Sequence, residues 1–164
     1  MDDQRFWAIV AAARDAAGDD VDDRVTGLEE TLLSLHADEV QAFQDVYDEM
    51  LQRANTWALW GAASVMMGGC SDDAFRYFRD WLISEGEAVF EAALNDPESL
   101  AALPEQDEPS LEGFGDIAAE VFEQMTDTEV ERRAFLEGGE PSGTPWEQDD
   151  LPGRFPRLSA RYPG

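Results

Sequence analysis

The sequence contains no lysine, only one cysteine and one histidine, and no long hydrophobic run. The single cysteine, Cys70, cannot form an internal disulfide, and one cysteine is too few for a cysteine-based structural zinc site. The roughly 20 consecutive apolar residues that a membrane span requires are absent. The residues that follow Met1 are amphipathic, which is not the uniformly apolar pattern of a secretory signal. Together these features predict a cytoplasmic protein.

The charge is strongly unbalanced. The chain has 37 acidic residues against 11 basic ones, a formal net charge of -26, and every basic residue is an arginine. Nucleic acids and anionic lipids bind basic faces that release counterions, so we expect neither direct nucleic-acid binding nor membrane binding. Two interpretations of the acidity remain open: a solvated surface that keeps the protein soluble, or a surface that meets a basic protein partner.

Apolar residues recur at helical spacing along most of the chain. The first such stretch runs from Asp3 to Ala17 and is ended by Gly18. Further helices are predicted over residues 28–35, 40–51, 57–67, 72–84, 85–94 and 111–125, with a short segment over 97–103 and a candidate extension over 129–135. The pattern therefore predicts an all-α fold, a compact helical domain of about six to seven helices.

A change in composition divides the chain into two parts. Residues 1–137 are predicted to form the helical domain, and residues 138–164 form a C-terminal tail that is rich in proline, glycine and acids. The tail keeps large apolar residues, namely Trp146, Leu151, Phe155 and Leu158. Because these residues can anchor the tail, we expect it to be irregular but packed on the helices as part of the same domain.

The candidate binding face lies at the start of the helix that follows Gly68 and Gly69. Ser71 is a suitable N-cap, and negative charge in the first turn suits the helix dipole. The charged residues of this face are Asp72, Asp73, Arg76, Arg79 and Asp80. Its carboxylates suit a cation or a guanidinium group, and its arginines suit an anionic group. A purely structural interpretation, with ion pairs one helical turn apart, is also open.

No residue pattern in the sequence indicates a catalytic centre. Asp72 would oppose a thiolate at Cys70, so we expect a packed, unreactive cysteine. His36 is predicted to lie at the C-terminal end of the second helix, near the negative end of its dipole. Neither a Gly-x-Ser-x-Gly elbow nor a Glu-x-x-His metal motif is present. We therefore predict no catalytic residue, no metal site and no cofactor, which favours a protein that is not an enzyme.

The segment Gly68–Ile83 carries the run Gly-Gly-x-Ser-Asp-Asp-x-Phe-x-Tyr-Phe-Arg-x-Trp-Leu. Together with Phe6-Trp7, residues 57–60 and residues 154–158, it resembles an uncharacterised family of small bacterial proteins that is frequent in actinobacteria and is known as a domain of unknown function. The resemblance extends from Phe6 to Tyr162. It implies one intact domain and supplies no activity or cofactor.

Two classes of function follow from the sequence. The first is a non-enzymatic interaction or regulatory protein that binds a basic protein partner through an acidic helical face and an exposed aromatic such as Trp146; an inhibitor of a basic toxin is one variant. The second is an enzyme or small-molecule binder that uses the Asp72, Asp73, Arg76 and Arg79 face. The second class requires these side chains to converge on a cavity, with at least one perturbed pKa among them.

Overall fold

The structure is a computed structural model that describes residues 1–132 and 139–163. The α-helices are α1 (Asp3–Ala17), α2 (Asp23–Leu33), α3 (Ala37–Arg53), α4 (Trp57–Met67), α5 (Asp72–Ser84), α6 (Glu87–Asn95), α7 (Ile117–Thr126), α8 (Leu151–Arg154) and α9 (Pro156–Arg161). Short 3₁₀ helices cover Pro97–Ala102, Phe114–Asp116 and Gln148–Asp150. The described residues form no strand, which confirms the predicted all-α class. None of their helices has both the length and the apolar character needed to cross a bilayer.

Local sequence signals place several helix ends correctly. Helix α1 has the predicted bounds. Helix α5 begins after Ser71, whose Oγ accepts a hydrogen bond from the Ala74 N–H at 3.2 Å, as a capping serine should. The segment predicted as one helix over 111–125 is divided, because Gly113 has a φ of 95° and precedes a 3₁₀ turn before α7 begins.

The prediction for His36 was wrong. Helix α2 ends at Leu33, and His36 lies directly before α3, at the positive end of that helix. The Glu39 carboxylate accepts a hydrogen bond from the His36 N–H at 3.2 Å. A glutamate three positions after the N-cap residue is a signal for the start of a helix. Glu39 follows His36 at this spacing, so His36 is the N-cap of α3.

The C-terminal segment is more regular than expected. Leu151, Phe155 and Leu158 are buried, and the short helices α8 and α9 that carry them pack against α4. The tail therefore packs on the helices as predicted, but it is partly helical itself. Residues 129–132 are not helical, and the rest of the candidate extension, 133–135, lies outside the described residues, as does the proposed boundary at 137 and 138. The division into two parts stays a prediction.

Helix α5 is covered on more than one side. Its apolar residues Phe78 and Trp81 lie in the central core, where they pack against each other with ring centroids 5.5 Å apart. Helices α1, α3, α4 and α6 contact it, and so does the 3₁₀ turn at Phe114–Asp116. Because so many elements surround α5, even polar positions on this helix are drawn away from solvent.

Candidate functional site

A pocket of about 510 Å³ lies where the end of α3, the start of α4 and the first two turns of α5 meet. Its lining residues are Gln52, Asn55, Trp57, Trp60, Asp72, Asp73, Phe75, Arg76, Arg79, Gly139, Glu140 and Pro141. This α4–α5 pocket thus gathers four of the predicted site residues. Its volume falls within the roughly 300–1,000 Å³ range of small-molecule sites.

One side of the pocket is an aromatic wall formed by Trp57, Trp60 and Phe75. The Trp57 and Trp60 rings stack at 5.3 Å between centroids and 8° between planes, and Trp60 and Phe75 stack at 5.2 Å and 4°. The Arg79 guanidinium continues the stack, 4.7 Å from the Phe75 centroid. The Trp60 indole N–H donates to the Cys70 carbonyl at 2.8 Å. Because each ring is held by its neighbours, the wall is preformed.

The two arginines of the pocket have few partners. Arg79 Nη1 donates to the Leu51 carbonyl at 2.9 Å, but its Nε is buried without an acceptor. Burial, together with the nearby Arg76, lowers the Arg79 pKa to about 10. Arg76 Nε lies 3.7 Å from Asp80 Oδ1, beyond hydrogen-bond distance. The positive charge of these groups is therefore only partly compensated, which suits an anionic ligand group.

The pocket also contains carboxylates, whose negative charge is opposite in sign to that of the two guanidinium groups. Asp72 and Asp73 lie in the exposed first turn of α5, and Glu140, also exposed, reaches the pocket from the C-terminal segment. An ammonium or guanidinium group is the chemical complement of such carboxylates. The pocket therefore offers both signs of charge to a ligand.

Asp80 does not lie on the charged outer face where the sequence placed it. It is 2 % exposed and lies behind the pocket, where it accepts a hydrogen bond from the Tyr47 hydroxyl at 2.6 Å. Burial raises the Asp80 pKa to about 6, against the opposing effect of Arg76. A Cβ at Gly115 would come within 2.6 Å of Oδ1, so the glycine makes room for the carboxylate.

Trp146 is half-buried and not the exposed aromatic that the sequence suggested. It packs edge-on against Trp57 and Trp60, at 6.2 and 6.4 Å between ring centroids. Its indole N–H donates to the Trp57 carbonyl at 2.7 Å. Trp146 therefore supports the aromatic wall, and it does not line the pocket.

Sequence reasoning missed the segment that closes the pocket. The Asn55 side-chain amide donates to the Gly139 carbonyl at 3.2 Å. The Ser142 N–H donates to the Asn55 carbonyl at 3.0 Å, and the Trp57 N–H donates to the Ser142 carbonyl at 2.9 Å. These bonds align residues 139–142 with the α3–α4 connection. The only signal for this pairing in the sequence is the Trp146 anchor that follows it.

Cys70 is half-buried beside the pocket. Burial, with a smaller effect of Asp72, raises its thiol pKa to about 11. This direction agrees with the predicted unreactive cysteine, because a thiolate forms only at high pH. Within residues 1–132 and 139–163, no group of three or more His, Cys, Asp or Glu side chains is arranged to hold a metal ion.

The fold and the pocket define an acidic, all-helical protein with a preformed cavity of mixed charge. Residues 1–124 match the family described as a protein of unknown function, DUF4240, and the chain belongs to this family. No curated protein and no solved structure matches the chain. The match includes the α3, α4 and α5 walls of the pocket, whereas residues 139–141 lie beyond it. The proposed family motif and the actinobacterial source stay predictions.

Proposed function

We propose that this protein is a non-enzymatic binding protein and that a small-molecule ligand occupies the α4–α5 pocket. The observation that carries the proposal is the convergence of Asp72, Asp73, Arg76 and Arg79 on one cavity of about 510 Å³. A face with a purely structural role would be expected to leave all four side chains in bulk solvent, whereas Arg76 and Arg79 are half-buried. A perturbed pKa beside a cavity, such as that of Arg79, is a further feature of binding sites.

We also propose a bacterial, cytoplasmic setting for this protein. The support is compositional: the chain has no lysine and a single cysteine. A lone thiol that is half-buried and protonated suits a reducing compartment.

Replacing Arg79 with glutamine should weaken ligand binding at least tenfold. Hydrogen bonds to a charged group contribute about 1.5–3 kcal/mol, which corresponds to roughly a tenfold to hundredfold change in affinity. The measurement is saturation-transfer NMR with a panel of amino acids, organic acids and nucleotides, followed by titration of each compound that binds. Circular dichroism checks that the variant is folded.

The matched control is Arg154→Gln, which makes the same chemical change at an exposed arginine outside the pocket. It should bind every compound as the unmodified chain does. A panel in which nothing binds would refute a small-molecule site of this chemistry. Equal effects of Arg79→Gln and Arg154→Gln would place any binding elsewhere on the protein.

A second candidate function is the binding of a basic protein partner. A shallow depression of about 650 Å³ lies between the α1–α2 connection and the segment before Ser110. The acidic residues that line it are Asp19, Asp20, Asp22, Glu105, Asp107 and Glu108. A surface with so many negative charges increases the rate of encounter with a basic protein, which supports a protein-interaction function.

An arginine-rich peptide such as nona-arginine should bind this acidic depression and dissociate as salt is raised, because salt screens exposed charges. The triple variant Glu105→Gln, Asp107→Asn, Glu108→Gln should weaken its binding about fivefold, by loss of local attraction. The control triple variant Glu87→Gln, Glu123→Gln, Asp149→Asn has the same net charge but changes exposed acids elsewhere. Equal weakening in fluorescence-anisotropy titrations of both variants would show that only the overall charge acts.

A further inference from the structure

The arginine side of the α4–α5 pocket fits a single carboxylate. Among the described residues, Arg79 has one hydrogen bond, to Leu51, and Arg76 has one ion pair, with Asp80. The Nε atoms of both arginines are buried, so a carboxylate in the pocket would meet their terminal Nη groups, which can form hydrogen bonds with its two oxygens. A phosphate dianion is a poorer match, because Asp72 and Asp73 already occupy the helix start where a phosphate would lie and would repel it.

The acidic side of the pocket requires a cationic group on the same ligand. The carboxylates of Asp72, Asp73 and Glu140 outnumber the two guanidinium groups by one. The net charge of -26 on the whole chain adds to this negative field. A ligand that carried only a carboxylate would be repelled, whereas one with two cationic groups and one carboxylate would offset the excess negative charge of the three lining carboxylates.

The aromatic wall fits one of the two cationic groups. Trp57 is half-buried and lines the pocket, so part of its ring surface faces the cavity. Aromatic faces attract guanidinium and ammonium groups. The same wall already holds a guanidinium in this manner, since Arg79 lies 4.7 Å from the Phe75 centroid.

We propose that the ligand of the α4–α5 pocket is a cationic α-amino acid or an equivalent small zwitterion with an excess of positive charge. Its carboxylate binds Arg76 and Arg79, its α-ammonium binds the carboxylates at the start of α5, and its side-chain cation lies against Trp57. The inference rests on the proposed small-molecule function and names the class of ligand. A free amino acid is small enough for a cavity of about 510 Å³.

Four probes test each part of this assignment by calorimetric titration into the full chain. L-Arginine carries all three charged groups, agmatine lacks the carboxylate, Nα-acetyl-L-arginine lacks the ammonium, and L-norvaline lacks the guanidinium. L-Arginine should bind tightest, and each of the other three should bind at least tenfold more weakly. Agmatine that binds as tightly as L-arginine would overturn the assignment, and so would inorganic phosphate that displaces L-arginine at a lower concentration than acetate does.

Variants connect each preference to a residue. In Arg79→Gln, the preference for L-arginine over agmatine should fall at least fivefold. In Asp73→Asn, the preference for L-arginine over Nα-acetyl-L-arginine should fall. Arg154→Gln should keep both preferences. If L-arginine does not bind, but other compounds of the panel bind and their binding depends on Arg79, the ligand class is wrong and the proposed function stands. If no compound binds, both are wrong.

Discussion

Replacing Gly27 with alanine is expected to lower the free energy of unfolding by about 1–3 kcal/mol, the usual cost of overpacking a tight interior. Gly27 lies where α2 crosses α1, the most extensive helix contact among the described elements. A Cβ at this position would lie 2.5 Å from the carbonyl oxygen of Ala13 and 3.2 Å from its carbonyl carbon. These are backbone atoms, so the clash is relieved only if the two helices move apart.

The matched control for this substitution is Gly153→Ala. Gly153 lies in α8 and a Cβ there would meet nothing within 4 Å. Alanine in such a helical position should leave stability unchanged or raise it by about 0.5–1 kcal/mol. Urea unfolding followed by circular dichroism measures both variants. Equal urea midpoints for Gly27→Ala and Gly153→Ala would contradict the close approach of α1 and α2.

The free energy of unfolding of the unmodified chain, taken relative to that of the Asp80→Asn variant, should fall by about 2–3 kcal/mol as the pH rises from 4 to 7. Burial raises the Asp80 pKa from an ordinary 3.8 to about 6, and the nearby Asp116 adds to the shift. The Tyr47 hydroxyl and the two arginines, Arg76 and Arg79, favour the ionised form but do not overcome burial.

The sign of this effect follows from where the proton is held. Between pH 4 and 6 the folded chain keeps the Asp80 proton while the unfolded chain releases it, so a rise in pH through this window favours unfolding. Above about pH 7 the carboxyl is ionised in both states and the difference becomes constant. Asparagine keeps an oxygen that can accept from Tyr47 but has no proton to lose in this range.

Urea titrations at half-unit pH steps measure this difference. Other carboxylates also ionise over this range, but they do so in both proteins and their effect cancels. The variant Asp149→Asn, at an exposed aspartate, should keep the pH dependence of the unmodified chain. A difference between the unmodified chain and Asp80→Asn that does not change with pH would show that Asp80 is ionised throughout.

Part of the candidate site was predictable because it depends on local rules. Ser71 caps α5, and the helical repeat places Asp72, Asp73 and Arg76 at its start. Nothing local distinguishes Asp80 from Arg76, since both are charged residues on one side of α5. Asp80 is buried because the turn that carries Gly115 packs against α5 on that side. A periodic pattern in the sequence can indicate which face of a helix is buried. It cannot indicate that a second element covers the opposite face.

The sequence by itself determined the helices and the excess of carboxylates. Helix formation depends on hydrogen bonds and apolar spacing within a few residues, so a local pattern is enough to predict it. The pocket was decided only by the tertiary structure. Its walls depend on the Trp57, Trp60 and Phe75 stack and on hydrogen bonds that join residues 139–142 to the α3–α4 connection. Contacts between such distant parts of the chain exist only after the helices have packed.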